Sequence, residues 1–364
     1  MMNVLWLAPN FNHYKARFLS HLAEEDDVNL TILSGTGRTQ MGDQELEGDW
    51  GFKHKKLKVT KKEFGNSNLV KNELKSIFAN FDWILIPAEK KNLPLLLYAI
   101  KLRKANKSVH LFSYNHAQLK SKNKVYSFLD HRLTKFFNNN LDRVIFYTKE
   151  ACESAIHNNL VVSEKAFWAN NTVDNTEIEK YYTYQLPPVN VQSMLFIGRL
   201  IPSKDIAKVI AYYKLIKQTH QNLKLEIIGD GPDYEIVEKV VKEDISITWH
   251  GTLVDEEKIA PIMKRTSLVF IPGLSGLSIN HAFAYGRPYI TLKADKHGPE
   301  ISYLENGKNG YILGGNLKEN TKIITSLIQD RAKLIALCNN AKQKGKELTV
   351  QNWVQQMKAS LLDE

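Results

Sequence analysis

The sequence predicts an α/β protein of two doubly wound parallel-sheet domains facing a cleft. Three observations carry this. Strand and helix patterns alternate along the whole chain, which argues for parallel sheets covered by helices. The rhythm lapses at 183–192, where Pro187-Pro188 breaks both periods, and then restarts. The chain has 364 residues, enough for two separate cores.

In the first half, strand patterns fall at 4–8, 28–34, 83–87, 108–113 and 143–147, with helix patterns near 15–25, 93–105 and 125–138. A Gly-rich polar loop is expected at 35–49. The second half carries strand patterns at 194–198, 224–229, 245–250, 268–271 and 289–292, and helix patterns at 203–220, 234–241 and 277–285. The expected domains are 1–182, a linker at 183–192, and 193–345, with 346–364 as a last helix packing back on the first domain. In such sheets ligands bind outside the carboxyl ends of the strands.

Composition narrows the class. Apolar residues make up 43% and charged residues 24%, ordinary globular values that exclude a disordered or fibrous chain. The opening Met1-Met2-Asn3-Val4-Leu5 lacks a basic stretch and reads as a strand rather than a leader. No apolar run approaches the roughly 20 residues that span a bilayer. Cys152 and Cys338 are the two cysteines, far apart in helical patterns, so a disulfide or zinc framework is not expected and a cytoplasmic setting is.

The net charge of +10 is the unusual bulk property. Lys53, Lys55, Lys56, Lys58, Lys61 and Lys62 form one cluster, and others lie at 101–107 and 120–124. All are in the first half. They read equally as a solvated face or as attraction to an anionic partner: a phosphorylated substrate, acidic lipid head groups or nucleic acid. No recognisable nucleic-acid module accompanies the charge, so nucleic acid ranks last.

The candidate chemistry lies at strand ends. Gly198-Arg199-Leu200-Ile201-Pro202-Ser203-Lys204 closes one strand and opens a helix that Ser203 can cap. Arg199 offers a planar fork and Lys204 a mobile charge, a pairing suited to a diphosphate. Pro272 to Ser278 is a second such turn, where Gly276, Leu277 and Ser278 present backbone N–H groups toward an anion. His281 follows, placed to reach a ribose hydroxyl, although a lone helical His is more often structural. Glu300, in His297-Gly298-Pro299-Glu300, reads as a helix-start carboxylate or a partner for sugar hydroxyls. Tyr114-Asn115-His116 ends a first-half strand, and His116 is poised between a surface loop role and orienting an acceptor. No metal-ligand spacing, nucleophile elbow or Walker loop occurs.

These motifs, in this order, resemble the GT-B fold glycosyltransferases of family 4, also called glycosyl transferases group 1. The resemblance runs through Phe196-Ile197-Gly198-Arg199-Leu200 with Lys204, Ile227 to Pro232, His250-Gly251 and Gly276-Leu277. It continues through Ala282 to Pro288, Pro299-Glu300 and Asn309-Gly310. Asn171-Thr172-Val173-Asp174 and Trp353 fit the family's interdomain segment and last helix. The first half matches in rhythm only.

The resemblance implies two Rossmann-like domains and a nucleotide diphosphate-sugar donor held in the second. Arg199 and Lys204 would bind the diphosphate, and Gly276, Leu277, Ser278, His281 and Glu300 the rest of the donor. His116 would stand near the acceptor, a glycan or lipid-linked glycan. It further implies transfer with retention by front-face attack, no metal and no other cofactor, and work on surface glycans at the inner face of a membrane. The family's two flanking glutamates are replaced here by Gly273 and His281. That departure keeps open a second class, a non-catalytic nucleotide-sugar binder supporting a partner enzyme.

Overall fold

A computed structural model describes residues 1–36, 50–116, 124–294 and 296–362, with 124–127 as backbone only. Nearly all of the polar loop expected at 35–49, and the lysines of 120–124 other than the backbone of Lys124, lie outside the described residues. The chain divides into two compact units. One holds the residues up to Asn171 together with those from Gln351 onward, and the other is Thr172–Val350.

The first unit is built on strands β1 (Met2–Ala8), β2 (Val28–Ser34), β3 (Lys53–Lys56), β4 (Trp83–Leu85), β5 (His110–Asn115), β6 (Arg143–Phe146) and β7 (Ala166–Trp168). They form one parallel sheet in the order β3-β2-β1-β4-β5-β6-β7. The chain order reverses between β1 and β4, the switch point of a doubly wound sheet. β1, β4 and β6 are almost wholly buried, which is why they read as apolar runs without alternation.

Strand β3 is absent from the sequence reading, and the physical reason is plain. Its residues Lys-His-Lys-Lys are all exposed and carry no apolar face. They extend an edge through backbone pairing with β2, and lysine on an edge strand discourages pairing with other chains. Part of the basic cluster is thus an edge device, and Lys55 is engaged by Glu73 at 2.6 Å.

The helix Val350–Leu362 joins this unit. Trp353 is fully buried, packs edge-on against Phe18, and donates its indole N–H to Tyr114 Oη at 3.1 Å. Lys358 pairs with Glu25 and Asp27, each at 2.7 Å.

The second unit has strands β8 (Ser193–Ile197), β9 (Lys224–Ile228), β10 (Ile247–Trp249), β11 (Leu268–Phe270), β12 (Tyr289–Leu292) and β13 (Gly310–Leu313). The order is β10-β9-β8-β11-β12-β13, again all parallel. Its switch point falls between β8 and β11. The division of the chain precedes the expected linker, because residues before 183 already pack on this unit. Tyr182 is buried and its hydroxyl donates to the Tyr285 carbonyl at 3.0 Å.

Both cysteines are buried and free. Burial pushes each thiol up to about 11, so neither forms a reactive thiolate near neutrality.

Candidate functional site

The loops leaving β8 and β11, the two strands at the switch point, come together in the second unit. Gly198 follows β8 directly at φ +151°, and a Cβ there would lie 3.0 Å from Lys204 Cε. The missing side chain is what lets Lys204 fold back over its own loop. Its ammonium donates to the Leu274 carbonyl at 3.2 Å, joining the first loop to the second. The Leu274 N–H in turn donates to the Ser203 carbonyl at 2.7 Å.

Ser203 does not cap the following helix. That helix is Ile206–Lys217, its cap is Asp205 in the left-handed conformation, and the Asp205 carboxylate accepts from the Lys208 N–H. The loop between Gly198 and Asp205 is therefore longer than the sequence suggested. The extra turn carries Ser203 to the β11 loop.

Lys204 has Arg199 and Glu300 as charged neighbours. Burial, and then the Arg199 guanidinium, pull its ammonium down to about 8, while Glu300 opposes them. Two cations held near each other with their hydration reduced form a site that a diphosphate would satisfy. Glu300 is buried in the short 3-10 helix Pro299–Tyr303 after β12. Its Oε2 lies 3.5 Å from where a Cβ on Gly276 would be, so the carboxylate borders the glycine loop rather than facing outward.

The glycine loop is fixed from below by hydroxyls. Tyr289 Oη is 2.9 Å from Ser278 Oγ and donates to Ser275 Oγ at 3.0 Å; Ser275 Oγ also reaches Thr291 Oγ1 at 3.0 Å. The Ser275 N–H donates to His297 Nδ1 at 3.2 Å, and His297 Nε2 is 3.0 Å from the Leu292 carbonyl. That pairing defines the neutral Nε2–H tautomer. Burial lowers the ring's pKa despite the Leu292 bond. Ser275, Tyr289, Thr291 and His297 were not candidates from sequence. His297 had a visible signal in its place beside Gly298-Pro299-Glu300, and Ser275 in its place within the glycine loop, but Tyr289 and Thr291 did not, because they approach from a different strand, β12.

Arg199, Lys204, Gly276, Ser278 and Glu300 are tied by these contacts into one locality, with Leu277 carried between Gly276 and Ser278. His281 has a protein partner that its place on the helix did not foretell. Its Nε2 lies 3.1 and 3.2 Å from the two Glu256 carboxylate oxygens, and Tyr285 Oη donates to Glu256 at 2.7 Å. Glu256 begins the helix Glu256–Arg265, and nothing in its sequence spacing announced this partnership. Gly273 packs under the Ser203–Lys204 backbone, where a Cβ would overlap the Ser203 carbonyl oxygen. His116 belongs to the first unit, exposed just after β5, with its ring 4.6 Å from that of Tyr147. Among the described residues, no group of three or more His, Cys, Asp or Glu is placed to hold a metal ion.

Two all-parallel sheets, one of seven strands in the order 3-2-1-4-5-6-7 and one of six in the order 3-2-1-4-5-6, the second with a cationic loop at its switch point, define the architecture. The chain is similar to HepE of Anabaena in complex with UDP, at a TM-score of 0.72, 16% identity and full coverage of both chains. It is also similar to sucrose-phosphate synthase of Thermosynechococcus elongatus, at a TM-score of 0.71 and 13% identity over 98% of this chain and 97% of that one. These likenesses show the fold, which is GT-B.

Residues 191–330, within the second unit, match the family described as Glycosyl transferases group 1. The chain is also 25% identical over 209 residues to poly(glycerol-phosphate) alpha-glucosyltransferase of Bacillus subtilis strain 168; the match takes in 53% of this chain and 28% of that protein.

Proposed function

We propose that the chain transfers a sugar, with retention, from a nucleotide diphosphate-sugar held by its second unit to a glycan or lipid-linked glycan acceptor. The observation that carries this is the juxtaposition of Lys204 and Arg199 with the glycine loop at the β8–β11 switch point. The cations would bind the two phosphates. Backbone N–H groups of Gly276, Leu277 and Ser278 would complete the anion site, and Glu300 would accept from sugar hydroxyls. With Nε2 engaged by Glu256, His281 Nδ1 is the ring atom that would serve the ribose.

His116 of the first unit would orient the acceptor hydroxyl. As the oxygen of that hydroxyl bonds to the anomeric carbon, the bond to the diphosphate breaks and the leaving phosphate takes up the hydroxyl proton. The cations stabilise the charge that develops on the phosphate.

Support comes from the family match and from relatives whose names include UDP-bound HepE and a glucosyltransferase acting on poly(glycerol-phosphate). The reaction would serve surface glycan synthesis at the inner face of a membrane. The test is incubation with a panel of nucleotide sugars and lipid-linked glycans, with the product's anomeric configuration read by NMR. A product of inverted configuration removes retention, and donor binding without turnover on any acceptor favours the second reading. That reading is a nucleotide-sugar binder without catalysis, and it is favoured by Gly273, where the chain has no room for a side chain.

A further inference from the structure

The helix Lys124–Asn139 of the first unit is built inside out. Its buried positions include Asp130, Thr134 and Asn138 along with Phe137, whereas Phe128, Leu129 and Phe136 are 61%, 54% and 45% exposed. Each inward polar residue has a partner, although Asp130 Oδ2 is buried without a hydrogen bond. Asp130 pairs with Lys90, Thr134 Oγ1 donates to the Asp130 carbonyl, and Asn138 donates to the Leu160 carbonyl at 3.0 Å. A helix seeking only to cover a sheet would place these two sets the other way round.

The outward face has a second property. Between positions 128 and 139 the exposed residues are Phe128, Leu129, His131, Arg132, Lys135, Phe136 and Asn139. At 3.6 residues per turn they occupy one arc of about 160°. The arc carries Arg132 and Lys135 and no acidic residue, and the Arg132 guanidinium lies 5.3 Å from the Phe128 ring centre. In sequence, Lys120, Lys122 and Lys124 lead into it.

Large apolar side chains interleaved with cations on one exposed helical face match the boundary between lipid head groups and acyl chains. There the rings enter the apolar layer while the cations stay at the level of the phosphates. We propose that this helix lies in the surface of an anionic lipid bilayer, with Phe128, Leu129 and Phe136 inserted and Arg132 and Lys135 on lipid phosphates. The inference concerns the first unit alone and does not depend on the donor reading.

The test is co-sedimentation of the full chain with vesicles of phosphatidylcholine containing 40% phosphatidylglycerol (on the order of a strongly anionic membrane), against phosphatidylcholine alone. Wild type should bind the anionic vesicles at least about tenfold more tightly. Each cation near the surface is worth about fivefold, so R132E/K135E should lose tenfold or more. The triple variant F128S/L129S/F136S should lose at least about tenfold as well. In both variants UDP binding by calorimetry should be unchanged, which reports a folded second unit and separates this proposal from the donor reading.

Because Phe128, Leu129 and Phe136 are already exposed, a change of circular dichroism is not expected; should the triple variant misfold, R132E/K135E decides alone. Absence of wild-type binding to the anionic vesicles overturns the proposal, as does equal binding by a folded variant. A loss of self-association in the triple variant by light scattering, with vesicle binding intact, also overturns it and assigns the face to a second copy of the chain.

Discussion

The carbonyl oxygen of Ser203 occupies the space that a side chain on Gly273 would need. The loop after β8 and the loop after β11 are in backbone contact at this point, sealed by the Leu274 N–H to Ser203 bond. The group 1 resemblance equates position 273 with a glutamate, for whose Cβ this loop has no room. Restoring the glutamate by itself should therefore fail. Gly273→Glu and Gly273→Ala should both lower the melting temperature, by several degrees for a cost of about 1–3 kcal/mol. Both should weaken UDP binding in calorimetry, because Lys204 moves with the displaced backbone. A Gly273→Glu protein that binds UDP-glucose more tightly than wild type would show that the two loops separate freely.

Lys204 gives a pH dependence with a definite sign. Its ammonium titrates at about 8 in the folded chain against an ordinary 10.5. A diphosphate binds the protonated form, so affinity should be flat below pH 8 and then fall by up to about tenfold per pH unit. Lys204→Ala and Arg199→Ala should each weaken UDP binding about tenfold or more, the value of a charge-assisted bond. Arg199→Ala should also move the break in the wild-type profile upward, since the guanidinium is one cause of the depression. Titration calorimetry from pH 6.5 to 9.5 measures both effects.

The same residue predicts an exchange of stability for binding. Below pH 8 Lys204 is protonated in both folded and unfolded chains, and the cost of holding the charge away from water is fully present. Between 8 and 10.5 the folded chain binds the fewer protons, so stability rises with pH. Lys204 keeps partial access to solvent, so the cost is on the order of 1 kcal/mol. Lys204→Met should raise the melting temperature of the ligand-free protein at pH 7 while abolishing the pH break in UDP affinity. Differential scanning fluorimetry with and without UDP reads the two outcomes together.

His281 and Glu256 make a third case. His281→Ala leaves the buried Glu256 carboxylate with Tyr285 as a hydroxyl donor, and should cost about 1–3 kcal/mol in urea unfolding. His281→Glu sets two carboxylates against each other and should be less stable than His281→Ala at pH 7, recovering as acid neutralises one of them. If His281 also serves the ribose, His281→Ala loses affinity for UDP but not for the 2′,3′-dideoxy nucleotide. Equal loss for both nucleotides confines His281 to holding Glu256.

Acid stability should depend on Glu226. It is buried on β9; burial opposes its charge, but bonds from His250 at 2.7 Å and Arg265 at 2.6 Å outweigh that and hold it at about 2. Its contribution is therefore complete above the ordinary 4.5 and is lost as pH falls from there toward 2. The size is roughly 3 kcal/mol. Urea midpoints at pH 7, 4 and 3 should fall faster for wild type than for Glu226→Gln, which starts lower and lacks the titrating group.

The apolar runs of β1, β5, β6, β8 and β11 determined the two-sheet architecture on their own, because strands buried on both faces leave no choice of register partner except a helix-covered parallel neighbour. The order of Gly198, Arg199, Lys204, Gly276 and Glu300 was likewise visible, since short strand-to-helix turns bring such residues to one end of a sheet whatever the details of packing. Other features depended on contacts between segments distant in sequence. β3 has no apolar pattern and exists because β2 offers it an unpaired edge. Asp205 rather than Ser203 caps its helix because the loop detours to reach Leu274. His281 turns to Glu256 because a buried carboxylate on the helix Glu256–Arg265 needs donors, and a side chain's spacing along its own helix does not reveal which neighbour will supply them. The outward aromatic face of Lys124–Asn139 also depended on the tertiary structure, because only there do Lys90 and the Leu160 carbonyl meet the inward Asp130 and Asn138.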